Sequence, residues 1–229
     1  MAKILILPDI HGRDFWKEPC QHIDEYDKVV CLGDYHDPYP QQVGKDKSRH
    51  MLRDEFVPFV EEHKDKFICL LGNHDAPYLV DNAEQCRFDY YHRDEIKNLL
   101  KRLNLQLFYE EDDYLFSHSG ILPVWVSNNF AALDEYEVLD TLGSIKFDDQ
   151  ALQEISPYRG GYAKCGSCIW GDVREYIDAY QYKKWYQIFG HTQLQSEVIT
   201  NTFACLDCRK AFVLDTEIKE LKEYGKESN

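Results

Sequence analysis

Five short apolar runs, each closed by a block of Asp, Asn or His, constrain this chain more than any other feature. Residues 4–7 lead into Asp9-Ile10-His11-Gly12, residues 29–32 into Gly33-Asp34-Tyr35-His36-Asp37, and residues 68–71 into Gly72-Asn73-His74-Asp75. Residues 114–116 lead into Ser117-His118-Ser119-Gly120, and Ile188-Phe189 into Gly190-His191-Thr192. Runs of this length, bounded by turn residues, read as buried strands. Sheets of the α/β class place ligands in a crevice outside the carboxyl ends of their strands. The spacing therefore predicts one crevice lined by carboxylate, amide and imidazole groups. Such donors suit Mn, Fe, Zn, Co or Ni, and the set is large enough for two ions.

The intervening segments supply helices and turns. Residues 14–26 are polar with spaced apolar positions and predict a helix. Residues 48–64 carry Met51, Leu52, Phe56, Phe59 and Val60 at helical spacing, with Pro58 expected to kink or divide the helix. Residues 94–103 predict a third helix through Ile96, Leu99, Leu100 and Leu103. Residues 106–109 and 114–117 flank an acidic turn and predict a hairpin. Short strands are expected over 197–215, with turns near Asn201 and Arg209. Parallel units followed by hairpins predict an α/β fold of two packed sheets flanked by helices.

The chain has 229 residues and no Pro/Gly/Ser-rich linker or internal repeat, so a single domain over 1–229 is expected. An apolar fraction of 44% is enough for a substantial core. A net charge of -15 argues against a nucleic-acid backbone partner, which needs clustered Lys and Arg. The apolar runs are too short to span a bilayer, and residues 1–3 show no signal-peptide layout, so a cytoplasmic location is expected. Of eight cysteines, Cys31 and Cys69 read as small core residues, and Cys20 and Cys86 stand alone. Cys165/Cys168 and Cys205/Cys208 form two Cys-x-x-Cys pairs, open to three readings: structural zinc, labile thiols, or ordinary cysteines. In extended chain Cys205 and Cys208 face opposite sides, which weakens the zinc reading.

The five ordered blocks resemble those of the metallophosphoesterase (calcineurin-like) superfamily. More narrowly, they resemble its phosphoprotein phosphatase branch, which includes bacterial diadenosine tetraphosphatases. The resemblance runs from about residue 4 to 191. It implies an αββα sandwich of two mixed β-sheets flanked by helices, with the metal centre at the C-terminal ends of strands. It places a cap or helical insertion at about 130–166, beside the site.

Asp9 and His11, two apart, point to one side of an extended strand end and can serve the same ion. By resemblance, Asp34 bridges two divalent ions, Mn foremost, and Asn73, His118 and His191 complete the second. The implied reaction is direct attack on phosphorus by a metal-bridging hydroxide. His74 matches the proton donor to the leaving group, and Asp37 the carboxylate that orients it and raises its pKa. Asp75 reads as a loop cap. His36 has no counterpart and is either a substrate contact or exposed.

In the family pattern an Arg follows the position of Asp37 and grips substrate phosphate. Here Pro38 and Tyr39 follow. Arg159 and Arg174 are the candidate replacements, and Tyr39, Tyr78 and Tyr158 are candidates to stack on a base. The expected function is a serine/threonine protein phosphatase-like phosphomonoesterase. Open alternatives are a dinucleoside polyphosphate hydrolase and a catalytically silent metal-binding module. The expected partner is a phosphorylated protein or nucleotide-type substrate, not a nucleic-acid backbone or membrane.

Overall fold

The structure, a computed structural model, describes residues 1–130, 135–177 and 179–226. Among these residues ten strands form two five-stranded mixed sheets. The first has the order β10-β9-β1-β2-β3 and joins β1 (Lys3–Leu7), β2 (Lys28–Cys31), β3 (Phe67–Cys69), β9 (Phe212–Asp215) and β10 (Glu220–Glu223). The second has the order β4-β5-β6-β8-β7. It joins β4 (Phe108–Glu111), β5 (Tyr114–Ser117), β6 (Tyr186–Phe189), β7 (Val198–Ile199) and β8 (Phe203–Cys205). The site-bearing strands β1, β2 and β3 run parallel, as do β5 and β6, so their carboxyl ends emerge together.

Side-chain alternation along these strands builds the layers. Ile4, Ile6 and Val30 of the first sheet pack against Phe116, Ile188 and Ala204 of the second, forming the interior between the sheets. The intervening residues Leu5, Leu7, Val29 and Cys31 face outward. They are covered by α2 (Lys45–Met51), α3 (Val57–Glu62) and α5 (Arg93–Arg102) through Met51, Val60, Ile96 and Leu100. On the far side Leu115, Phe189 and Phe203 are covered by α6 (Pro123–Phe130), α7 (Glu135–Ser144) and α8 (Val173–Ile177). Trp125, Leu142 and Tyr176 supply the covering side chains. The result is the expected αββα sandwich. Among the described residues no helix is long and apolar enough to cross a membrane.

Several elements depart from expectation for local reasons. The helix expected over 14–26 is only one turn, α1 (Lys17–Cys20), followed by a 3₁₀ turn at Ile23–Glu25. Pro19 has no N–H to continue the helical ladder. The helix expected over 48–64 runs from Lys45 to Glu62, but Leu52–Phe56 is a π-helical turn. Pro58 cannot donate to the carbonyl four residues back, and the widened turn absorbs that loss. The hairpin's first strand lies at Phe108–Glu111, two residues later than expected. β10 has no apolar signature. Its sequence Glu-Leu-Lys-Glu is half-buried throughout and pairs only with β9, as a charged sheet edge does.

Of the segment expected as an insertion at 130–166, residues 131–134 lie outside the described residues, and so do residues 227–229 of the expected domain. The remainder holds α7 and 3₁₀ turns at Gln150–Gln153 and Pro157–Arg159. Val138, Leu142 and Leu152 bury it against the second sheet. α4 (Ala76–Leu79) follows the third motif block directly.

Candidate metal centre

The five blocks converge because their loops touch. Gly33, at φ 110°, passes so close to the next loop that a Cβ on it would lie 2.7 Å from the Gly72 amide nitrogen. A Cβ on Gly72 would overlap Asp34 Oδ1. Asp75 ties the same two loops together. Its carboxylate accepts from the backbone N–H of Gly72 (2.9 Å), Asp34 (2.8 Å) and Tyr35 (3.1 Å). It is thus the loop cap the sequence indicated. His11, Asp34, Asp37 and His191 all have positive φ, a conformation that non-glycine residues adopt at a penalty and that clusters at functional sites.

Asp34 lies at the centre. Its Oδ2 is 3.3 Å from His11 Nε2 and 3.6 Å from His118 Nε2. Two groups of donor atoms share it, each within a 4.8 Å span: His11–Asp34–His74 and Asp34–His118–His191. Asn73 Oδ1 is 3.1 Å and His191 Nδ1 3.0 Å from His118 Nε2. Asp9 closes the cluster from β1, accepting the His191 backbone N–H at 2.9 Å. All of these side chains are buried.

This donor chemistry suits a cation. His118 Nδ1 lies 2.7 Å from the Leu32 carbonyl oxygen, and His11 Nδ1 lies 2.8 Å from the His36 carbonyl oxygen. A carbonyl accepts only, so each Nδ1 carries the proton. In the neutral rings both Nε2 lone pairs then face the Asp34 carboxylate, and that of His118 also faces the Asn73 amide oxygen. His191 Nε2 is buried with no partner. Acceptors converging in this way call for positive charge, and tying the second ring nitrogen to a carbonyl is the usual support of a metal-ligating histidine. The same demand shows at Asp34: burial opposes its ionisation, and it is positive charge placed on the His118, His74 and His11 rings that holds its carboxyl well below the usual range.

His74 sits beside this cluster. Its Nδ1 is 3.6 Å from Asp37 Oδ2, and the Tyr78 hydroxyl fixes Asp37 by donating to Oδ1 at 2.6 Å. Asp37 pulls the His74 pKa upward as expected, but the net shift is downward. Burial pushes it down, and the Arg87 cation adds to that, against the pull of Asp34 and Asp37. Tyr78, fully buried and bonded to Asp37, does not offer a face for a base. His36 is not exposed. It is buried, with Nδ1 2.8 Å from Ser48 Oγ on α2.

Arg159 and Arg174 lie on the His191 side of the site. Arg174 donates to the Asp172 carboxylate through Nε (2.7 Å) and Nη2 (3.0 Å) and covers the Tyr158 ring, with its side chain 53% exposed. Arg159 Nη1 is 3.4 Å from Asp172 Oδ2. Burial holds the His191 pKa well down, and the Arg159 charge lowers it further.

Two cations absent from the sequence reading stand on the other side. Arg13 Nη1 reaches the Asp9 carbonyl (3.2 Å) and buried Asp207 (3.4 Å). Arg87 Nη2 is 3.0 Å from His74 Nε2. Arg13, just after the first block, was visible by position. Arg87 lies in a loop with no pattern.

The cysteine pairs do not meet. Cys165, Cys168 and Cys205 are buried in the outer core of the second sheet, whereas Cys208 packs between the sheets. Among the described residues no group of metal-donor atoms includes a cysteine. The zinc reading fails because extended chain sends Cys205 and Cys208 to different faces.

A sequence profile of the calcineurin-like phosphoesterase family matches residues 2–195. No curated relative matches the chain. Among solved structures, a cold-active protein-tyrosine phosphatase of a psychrophile Shewanella sp. superposes with TM-score 0.57 at 15% identity, covering 97% of this chain and 80% of that one. A protein serine/threonine phosphatase from Saccharomyces cerevisiae, with similarity to human phosphatase PP5, superposes with TM-score 0.52 at 13% identity. That match covers 100% of this chain and 81% of the yeast one. At such identities these likenesses speak to the fold.

Proposed function

This chain belongs to the calcineurin-like phosphoesterase family and is a metal-dependent phosphoric ester hydrolase, and from that premise we propose a dinuclear phosphomonoesterase acting on phosphorylated protein side chains. The observation that carries the dinuclear reading is one buried carboxylate, Asp34, shared by two groups of donor atoms and faced by the His11 and His118 Nε2 lone pairs; of the first group His74 is kept for proton transfer, and Asp9 takes its place as a ligand. Asp9, His11 and Asp34 would hold one divalent ion, and Asp34, Asn73, His118 and His191 the other. When bound, two such ions lower the pKa of water toward neutrality and neutralise charge on a phosphoryl group.

The chain's own residues do the rest. Asn73 contributes a neutral oxygen, so the donor set does not repel an incoming phosphate as a further carboxylate would. His74 stands beside the donor cluster and is the proton donor to the leaving oxygen. Asp37, held by Tyr78, fixes the orientation of its ring. Arg159, held by Asp172 at 3.4 Å against 2.7 Å for Arg174, is the more available substrate-side cation of the two. Arg174 supports the rim through Asp172 and reaches a phosphate only by giving up that carboxylate.

The phosphoprotein reading draws on the two phosphatases of like fold, whose names specify serine/threonine and tyrosine substrates. A substrate panel with added Mn tests it: phosphoserine, phosphothreonine and phosphotyrosine peptides, bis(p-nitrophenyl) phosphate and diadenosine tetraphosphate. Phosphopeptides are expected to give the highest kcat/KM. A higher value for diadenosine tetraphosphate transfers the assignment to dinucleoside polyphosphates.

A further inference from the structure

Arg87 differs from the other cations around the site in what it is bonded to. Its Nε donates to the Asp37 carbonyl at 3.0 Å, its Nη2 lies 3.0 Å from His74 Nε2, and its guanidinium carbon lies 3.8 Å from the centre of the Tyr39 ring. Among the described residues no carboxylate lies within ion-pair distance of it. Its contacts are a backbone carbonyl, a ring nitrogen, an aromatic face and, weakly, the Cys86 sulfur.

The loop at 80–89 is built to deliver this side chain. Phe88 stacks on Tyr78 at 4.3 Å, the Asp89 N–H donates to the Tyr78 hydroxyl at 2.9 Å, and Lys45 Nζ donates to the Phe88 carbonyl at 2.9 Å. Arg87 itself has φ 56°, an arrangement that persists only where the surroundings over-determine it. Tyr78 also holds Asp37, so one buried phenol positions both the His74 partner and the arginine loop.

We propose that Arg87 is a phosphate-binding residue of this centre, and that an engaged phosphate draws its guanidinium off His74 Nε2. The inference rests on the phosphohydrolase reading above. A guanidinium with no carboxylate partner gains more from a dianion than from a neutral imidazole, because its donor is charged in both cases and only the dianion adds the attraction of opposite charges. His74 Nε2, an acceptor while the guanidinium donates to it, is then free to take up a proton from solvent and pass it to the leaving oxygen. Tyr39 supplies the surface along which the planar group slides without losing its cation–π contact.

The test measures inorganic phosphate binding to the Mn-loaded protein by titration calorimetry, beside steady-state kinetics on p-nitrophenyl phosphate. Arg87→Ala is expected to weaken phosphate about 10- to 100-fold, the loss typical of a charged hydrogen bond, and to raise KM more than it lowers kcat. Arg87→Lys keeps the charge but not the fork, so it should recover part of the affinity. If Arg87→Ala fails to fold by circular dichroism, Arg87→Gln takes its place. A phosphate Kd within twofold of the parent protein, with kcat alone reduced, would overturn the proposal and leave Arg87 as a positioning residue for His74. A crystal structure of the Mn–phosphate complex with Nη2 still on His74 would overturn the release step. If the unmodified protein binds no Mn and cleaves no phosphate ester, the phosphohydrolase reading itself fails, whatever Arg87 does.

Discussion

Arg87 and Arg174 flank the same centre and are held in opposite ways. Arg174 is half-exposed and doubly bonded to the Asp172 carboxylate. Arg87 is partly buried and touches neutral groups. A cation already matched by a carboxylate gains little from a phosphate, because it must break one charged pair to form another. A cation resting on neutral partners keeps nearly all of that gain. The guanidinium singled out from the sequence is thus the less available one. What decides its use is the charge of its present partners.

The largest effect should come from the residue common to both sides. Asp34→Asn removes the carboxylate shared by the two histidine groups. Metal content by atomic emission should fall at both sites, and turnover should drop by more than the roughly 10–100-fold typical of an outer partner of a metal ligand. Mn should also lose its ability to raise the Tm of the chelated protein, since a ligand stabilises only the state that binds it. Two ions retained at normal stoichiometry in this variant would end the shared-carboxylate reading, and the two sides would have to be treated as separate sites.

Next come the histidines. His74→Asn should keep both ions and lower turnover by about 10²–10⁴-fold, as for a lost general acid. The loss should be steepest for alkyl phosphates and milder for p-nitrophenyl phosphate, whose leaving group is stable as an anion. Asp37→Asn should show the same dependence more weakly. His118→Asn should reduce metal occupancy and slow all substrates alike. Equal losses on both leaving groups for His74→Asn, with metals retained, would remove the proton-donor role and make the Arg87 side purely a binding side.

Much of this was legible in the sequence, and the boundary is physical. The five strands showed because each is a buried apolar run, and the donor blocks showed because five of them in order at strand ends are more than turn capping explains. The layers followed from alternation, as Ile4 and Ile6 face one core and Leu5 and Leu7 the other. Arg87 was hidden because nothing local fixes it. Its place depends on the Phe88–Tyr78 stack and the Tyr78 bond to Asp37, contacts between residues far apart in sequence. The burial of His36 was hidden for the same reason, since Ser48 arrives from a helix twelve residues on. β10 was missed because an edge strand of Glu and Lys carries no hydrophobic signal.

The smallest effect, and the sharpest check on the contrast between the two arginines, is expected at Arg174. Removing it as Arg174→Ala deletes a pair that is largely solvent-screened on the arginine side. Such pairs contribute about 0–1 kcal/mol to stability, and a cation that meets phosphate only by leaving its carboxylate gains little, so phosphate inhibition should weaken by no more than about fivefold. Asp172 keeps its contact with Arg159 and the backbone N–H of Arg174, so the rim should hold. The measurement is the phosphate inhibition constant of Arg174→Ala beside that of Arg87→Ala, at the same Mn concentration. A loss of tens of fold at Arg174 would mean that it leaves Asp172 for the phosphate. The partner a cation holds in the substrate-free protein would then not predict whether it grips, and the distinction between the two sides would dissolve.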